Sequence, residues 1–338
     1  MKNMKERRDL ARRAACFAAA LLLLAALPLA ANAVDALVPM GCAVGIELET
    51  DGVMVAGFSE IETAAGRVSP AADAGMKTGD VIIAIGEKRI GDAAQLIAAL
   101  ASLDAEPVRL TVRRATQELL LNVTPAQNQE GRWQLGIWLR DGVSGIGTVT
   151  YYDPETGSFG ALGHGINDME SGKLLPFDSG SITEAQVVDV VKGAPGAPGE
   201  LCGKPDPARV LGSLGRNTGC GIFGQANFAQ TGAAIPLAEE AEVRLGPASI
   251  LATVDGENVE EYAVEISRIY RQPQDHRFLM LTVTDSRLLA QTGGIVQGMS
   301  GSPILQDGKL VGAVTHVLLS DATRGYGISI REMLDAAA

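Results

Sequence analysis

Forty glycines punctuate the 338 residues, and the apolar runs between them are short, among them Val53-Met54-Val55-Ala56, Val81-Ile82-Ile83-Ala84-Ile85 and Lys309-Leu310-Val311-Gly312-Ala313-Val314. Glycine supplies the left-handed backbone that tight turns require. The chain therefore reads as many short strands joined by turns, a mainly β fold and not a helical bundle. With 46% hydrophobic and 20% charged residues it can bury substantial cores, and its length suits two domains. Disordered and collagen-like chains are excluded. Acids outnumber bases 40 to 28; without the first 33 residues, which hold six bases and two acids, the remainder carries −16. Such a surface repels phosphate backbones, so nucleic acid is not an expected partner.

Residues 1–33 read as a targeting segment. Bases through Arg13 precede the apolar run from Ala14 to Leu27, and Ala31-Asn32-Ala33 has the A-x-A form of a cleavage site. The run approaches membrane-spanning length, so the segment is either a cleaved signal peptide or an anchor. In both cases everything after Val34 is expected outside the cytoplasm. Three cysteines remain beyond it, Cys42, Cys202 and Cys220, and a Cys202–Cys220 bridge is one open possibility. There is neither a Cys-x-x-Cys pair nor a His/Cys cluster at zinc spacing, so no metal or other cofactor is expected.

A first domain is expected over 37–125. Val53–Ala56 and Val81–Ile85 read as buried strands, and Val108–Val112 and Leu119–Val123 close the unit. Between them Asp92 is placed to cap a helix running to Leu103, with Ala93, Leu96, Ile97 and Leu100 on one buried face. The run from Ser69 to Ile82, of the form S-P-A-x-x-A-G-[apolar]-x-x-G-D-x-I, resembles the bacterial protease-associated type of PDZ domain. Upstream, Ala43-Val44-Gly45-Ile46 resembles the carboxylate-binding loop of that fold, where successive N–H groups form an anion nest. The resemblance implies that the strand from Ile46 to Leu48 takes up a peptide or C-terminal segment by β-augmentation.

After the polar linker Pro125–Gly131, short strands such as Leu135–Leu139 and Gly147–Tyr152 continue in a second domain over 132–338. Its most informative block is Gly294–Leu305. Glycines on both sides of Ser300 permit a turn that exposes the hydroxyl and aims the Gly298 and Ser300 N–H groups at one point, as an oxyanion hole requires. Asp307-Gly308 then turns a hairpin into the next strand. Gly298-x-Ser300-Gly301-x-Pro303 resembles the nucleophile motif of chymotrypsin-like serine proteases, implying a double β-barrel. A serine hydroxyl needs a neighbouring base. His164, just after an apolar strand and ahead of the serine, is the candidate; His316 reads as cleft wall or core and His276 as a solvated loop residue. Asp168, Asp178, Asp189, Asp255 and Asp285 all lie between base and nucleophile as candidate orienting acids, and Asp189, on the run Val187–Val191, is a reasonable physical choice.

A narrower resemblance covers nearly the whole chain. Tyr151-Tyr152-x-Pro154, Gly160–His164, Thr284-Asp285 to Leu289, Thr292–Ile304, Gly312–Val317 and Gly325–Ile328 are similar to the stage IV sporulation protein B peptidase family. The resemblance implies a catalytic His164, Asp285 and Ser300, although Asp285 stands late for a chymotrypsin-like acid and can instead brace the loop behind the nucleophile turn. It also implies a protein substrate. Family members are exported across the inner membrane of the developing spore and face the space between the two spore membranes. There they cleave a membrane-bound regulator of an intramembrane metalloprotease, upstream of a late sigma factor, and process themselves.

Gly219-x-Gly221-x-x-Gly224 matches a dinucleotide fingerprint, with Glu239 further on, but lacks a buried strand before it and helical spacing after it. It reads as a glycine-rich hairpin. The alternative to a peptidase is a catalytically silent PDZ adaptor, against which the intact His164 and Ser300 pair argues.

Overall fold

The structure, a computed structural model, describes residues 35–338 apart from 103, 115–116, 169–171, 230–231 and 272–274. The targeting segment expected over 1–33 lies outside the described residues. Among the described residues no helix is long and apolar enough to cross a membrane.

In chain order the strands that build the fold are β1 (Ala36–Pro39), β2 (Ala43–Phe58), β3 (Val81–Ile85), β4 (Val108–Arg114), β5 (Gln117–Val123), β6 (Ile137–Tyr152), β7 (Ser158–Ala161) and β8 (Ser179–Val191). They continue with β9 (Glu200–Thr218), β10 (Gly221–Ala226), β11 (Gly246–Thr253), β12 (Val259–Ile269), β13 (Leu279–Val283), β14 (Pro303–Gln306), β15 (Lys309–Leu318) and β16 (Asp321–Ser329). The four helices among the described residues are short: α1 (Pro70–Asp73), α2 (Ala93–Leu100), α3 (Ser286–Thr292) and α4 (Ile330–Ala337).

Two rings of six strands result. Pairing runs β6–β7–β10–β9–β8–β2, and β2 pairs β6 (Gly45 opposite Ile146) to close the first. Val44, Ile46, Leu48, Phe159, Ile182 and Ile222 fill it. The second ring, β11–β12–β13–β16–β15–β14, closes where Ile250 faces Ile304, around Tyr262, Val264, Leu279, Leu281 and Val311. Closure removes the free edges that short strands would otherwise expose. This is the mainly β double barrel expected of the chymotrypsin-like class.

The PDZ sheet grows out of the first barrel. β2 leaves the barrel near Asp51-Gly52 and continues into the sheet β2–β3–β4–β5, with Val53 opposite Ile82 and Ile82 opposite Val112. The bend is built as a bulge: the β2–β6 register shifts between Arg140 and Gly142, and a Cβ at Gly142 would lie 2.0 Å from the Leu48 carbonyl oxygen. Leu135–Leu139 and Gly147–Tyr152, read from sequence as separate strands, are the beginning and end of the continuous β6 or its immediate approach.

That continuity corrects the peptide-site expectation. Ala43, Val44, Gly45 and Ile46 form no open loop; they are the start of β2, paired to Thr148–Gly145 of β6 on one side, and Val44–Ile46 pair to Glu184–Ile182 of β8 on the other. Both edges are used, so their backbone groups cannot cradle a carboxylate. Along the PDZ part of β2, β6 itself takes the place of an added strand, and Asp141 of β6 accepts from the Ala93 N–H at the start of α2. The helix begins as read, the Asp92 side chain accepting from Gln95 N at 2.7 Å, but it ends at Leu100 and leaves Ile97 58% exposed beside Leu96, which is fully buried.

The Gly79-Asp80 end of the S-P-A motif has a structural explanation. Asp80 is 0% exposed; its carboxylate accepts from the Lys77 N–H (2.9 Å) and takes both Nε and Nη2 of Arg114 at 2.7 Å. A bidentate pair whose carboxylate is fully buried is costly to break when the buried charge is left in place. Asp80→Ala is expected to destabilise the protein by about 3 kcal/mol, read as a lower urea midpoint, with Asn costing less because it still caps the turn. A cost for Ala indistinguishable from that of a surface substitution would show that the pair does not stabilise the fold.

Candidate active site

Between the barrels lies a cleft of about 1030 Å³. It is lined from the first barrel by Ile46, Val143–Ile146, Leu162 and His164, and from the second by Arg277, Gly298, Ser300, Thr315, His316 and Tyr326. The structure thus brings His164 and Ser300 to one cavity, as the sequence predicts, each from its own barrel.

Ser300 sits on the tight turn between α3 and β14. Met299 points into the second core and is fully buried. Gly301 has φ +100°, and a Cβ there would lie 2.0 Å from the Thr148 carbonyl oxygen and 2.6 Å from the Leu162 nitrogen, so only glycine fits. The N–H groups of Gln297, Met299, Gly301 and Ser302 each donate to a backbone carbonyl (Gly199, Val296, Val314 and Met299). Those of Gly298 and Ser300 have no such acceptor among the described residues, and both residues line the cleft. A carbonyl oxygen gaining negative charge there would meet two uncommitted donors.

Ser300 Oγ donates to the Thr315 carbonyl oxygen at 2.7 Å. His164 follows β7 through Leu162 and Gly163, both with positive φ, and its Nδ1 lies 2.9 Å from the Gly165 carbonyl oxygen. A carbonyl only accepts, so Nδ1 carries the proton and Nε2 keeps its lone pair. Burial holds the His164 pKa below the usual imidazole range, against a smaller opposing effect of that carbonyl. His316 stands beside it, ring centroids 4.9 Å apart and planes tilted by 37°. Loss of solvent, then the His164 and Arg277 charges, bring its pKa to about 4. Two adjacent rings that disfavour protonation leave a base in neutral form near pH 7. His316 is cleft wall, as expected.

The structure does not bring Asp285 to His164. Its carboxylate caps α3, accepting from the N–H groups of Arg287 (2.8 Å) and Leu288 (3.4 Å), and takes the Ala263 N–H of β12 at 3.3 Å. Arg287 closes an ion pair on it at 3.0 Å and holds its pKa at about 2. The imidazole is oriented by a peptide carbonyl in place of that carboxylate. Asp285 instead braces α3, whose end carries Thr292; the buried Thr292 hydroxyl bonds the carbonyls of Leu288 and Gly294 and starts the nucleophile turn. Asp189 is exposed on β8 and bonds only to the Val190 N–H among the described residues, and the carboxylate of Asp168 lies against Gly79 of the PDZ motif.

Sequence reasoning missed Thr148. This buried β6 residue gives its N–H to the Ser300 carbonyl (3.1 Å) and its hydroxyl to the Gly298 carbonyl (2.7 Å). Its own carbonyl receives the Leu162 N–H (3.2 Å). One residue therefore holds both the Ser300 turn and the histidine loop. A threonine in an apolar strand carries no mark of this, because its partners are far along the chain.

The chain belongs to the SpoIVB peptidase S55 family, whose model matches residues 131–334, and a PDZ domain model matches residues 63–114. It is a serine endopeptidase with a PDZ domain. The PDZ domain of the SdrC-like protein of Listeria monocytogenes is similar at 22% identity over 27% of this chain and 90% of that one, with a TM-score of 0.23. The M. tuberculosis Rv3671c protease is similar in its active form at 17% identity over 58% of this chain and 73% of that one, and in its inactive form at 14% over 57% and 84%, each with a TM-score of 0.33. No curated protein matches the chain.

Thr148→Val deletes one hydroxyl and keeps the shape. It is expected to lower kcat about tenfold by loosening the turn while reducing stability by about 1 kcal/mol, and Thr148→Ser should restore both. Asp285→Asn separates bracing from direct catalysis: loss of a triad carboxylate costs about 10⁴ in kcat, whereas asparagine caps a helix as well as aspartate does. We expect less than a tenfold loss for Asn, and for Asp285→Ala a melting temperature lowered in line with about 1 kcal/mol of lost capping.

Proposed function

We propose that Ser300 is the nucleophile and His164 the general base, with the Gly298 and Ser300 N–H groups as the oxyanion hole and Asp285 as a positioning residue. The observation that carries this is the meeting of His164 and Ser300 in one cleft beside two uncommitted backbone donors. The Ser300 hydroxyl leaves the Thr315 carbonyl by rotation about χ1 and passes its proton to His164 Nε2 as Oγ bonds to the scissile carbonyl carbon. The oxyanion accepts from the two N–H groups. The imidazolium, steadied through Nδ1–H by the Gly165 carbonyl, then protonates the leaving amine, and water repeats the sequence to release the acyl group.

The proposed substrate is a membrane-associated regulatory protein in the spore-formation signalling that ends in late sigma-factor activation, and the enzyme itself is a second substrate. Its place of action is outside the cytoplasm, at the inner membrane of the developing spore, where the chain is exported or anchored. Family membership and the basic-apolar residues 1–33 support this reading. An adaptor role has less support, because β6 covers the sheet edge through which the PDZ module would add a peptide.

A fluorophosphonate probe tests the chemistry. Labelling is expected in the wild type and not in Ser300→Ala, and the rate should fall on acidification with a midpoint below pH 6.5, the ordinary imidazole value. Label that persists in Ser300→Ala, or an acid limb above that value, contradicts the assignment. Cleavage-product N-termini from a membrane-bound candidate regulator, present with wild type and missing with Ser300→Ala, test the substrate.

A further inference from the structure

The turn that read as a glycine-rich hairpin is one: β9 and β10 meet there with Thr218 opposite Gly221. Its tip carries Cys220, one of three free cysteines among the described residues and 7% exposed. His276, from the loop between β12 and β13, and Glu332, in the first turn of α4, converge on it. His276 Nδ1 lies 3.5 Å from Cys220 Sγ and 2.5 Å from Glu332 Oε1, and the three donor atoms all fall within 4.8 Å of one another. His276 is therefore not the purely solvated loop residue expected from sequence.

A catalytic relay would place the thiol and the carboxylate on opposite nitrogens of the imidazole, so that a proton passes across the ring. Here one nitrogen faces both. Three donor atoms aimed at a common point are the arrangement of a ligand set. Bond lengths of about 2.3 Å to sulfur and 2.0–2.1 Å to nitrogen at a tetrahedral angle put those two atoms about 3.6 Å apart, close to the separation found. The carboxylate needs only to swing back from its hydrogen bond. The backbone supports the convergence: Asp275 and His276 both hold positive φ, 53° and 61°, and a Cβ at Gly219 would stand 3.1 Å from His276 Nε2. Strained non-glycine residues of this kind persist where the surroundings impose them.

We propose that Cys220, His276 and Glu332 form a binding site for a divalent cation of zinc type, with a water in the fourth position. Thiolate, imidazole and carboxylate together suit zinc better than calcium or magnesium, which take oxygen ligands. Because only the thiolate is a metal ligand, binding of the ion displaces the proton from the Cys220 sulfur. The bound ion joins the first barrel, through the β9–β10 turn, to the second, through the His276 loop and α4. It sits at the rim of the active-site cleft, since Arg277 lines that cleft and the Thr218 carbonyl abuts Gly165, next to His164.

Cobalt(II) titration of the full chain carrying Ser300→Ala, which prevents self-cleavage, tests the site. One equivalent should produce a thiolate-to-cobalt charge-transfer band and tetrahedral d–d bands, and zinc(II) should abolish them. Cys220→Ser should lose the charge-transfer band, while Cys42→Ser and Cys202→Ser keep it. Glu332→Gln, half-buried on a helix and tolerant of the change, should weaken cobalt binding at least tenfold with an unchanged circular dichroism spectrum, and it carries the test if Cys220→Ser does not fold. No charge-transfer band in folded protein, a band that survives Cys220→Ser, or affinity indifferent to Glu332→Gln overturns the proposal.

Discussion

The three hydrogen bonds of Thr148 are what the active site hangs on. A double-barrel peptidase must keep a base on one barrel and a nucleophile on the other in register, across a cleft that has to stay open. Thr148 does this from the middle of β6: its N–H and hydroxyl hold the carbonyls of Ser300 and Gly298, and its carbonyl holds the N–H of Leu162 two residues before His164. Gly301 packs against the same carbonyl so closely that no side chain fits between. The Ser300 turn is thus mounted on the first barrel although its own strands belong to the second. Small rearrangements here move reacting groups by distances that matter for catalysis.

The PDZ sheet is part of the same scaffold. β2 and β6 each pass from the first barrel into it, so the sheet and the barrel share two strands without a break. The edge that a free PDZ module offers to a peptide is taken by β6, and the motif end at Gly79 touches Asp168, on the loop that follows His164. Buried salt bridging at Asp80 stiffens that contact region from the PDZ side. The module is thus joined to the first barrel by two strands and lies against the loop that follows His164. Asp285 plays a comparable part on the other barrel, stiffening α3 behind the serine turn.

Features whose cause is local were legible before any fold was known. The Asp92 cap, the Asp307-Gly308 hairpin and the glycine-bracketed Ser300 turn all depend on residues within a few positions of one another. Features whose cause is strand pairing were not. Ala43–Ile46 has the composition of an anion-binding loop, and nothing within it says that β6 and β8 flank it. Ile97 has helical spacing for burial, yet it stays exposed among the described residues. A late Asp285 ahead of a glycine-rich serine block invites a triad, while Arg287, two residues on, claims its carboxylate. Cys220, His276 and Glu332 are 56 residues apart at each step, beyond any ligand spacing a linear reading uses.

What the residues alone decided is the chemistry and the turns: a serine hydroxyl displayed between glycines, a histidine at a strand end, and an acidic, strand-rich body after a basic-apolar N-terminal stretch. These follow from side-chain type and backbone freedom, which act over a few residues. What only the folded chain decided is which groups meet. A strand's hydrogen bonds are unsatisfied until a distant strand supplies them, so the partner of each edge, the carbonyl that orients His164 and the threonine that joins the two barrels exist only once both barrels have closed.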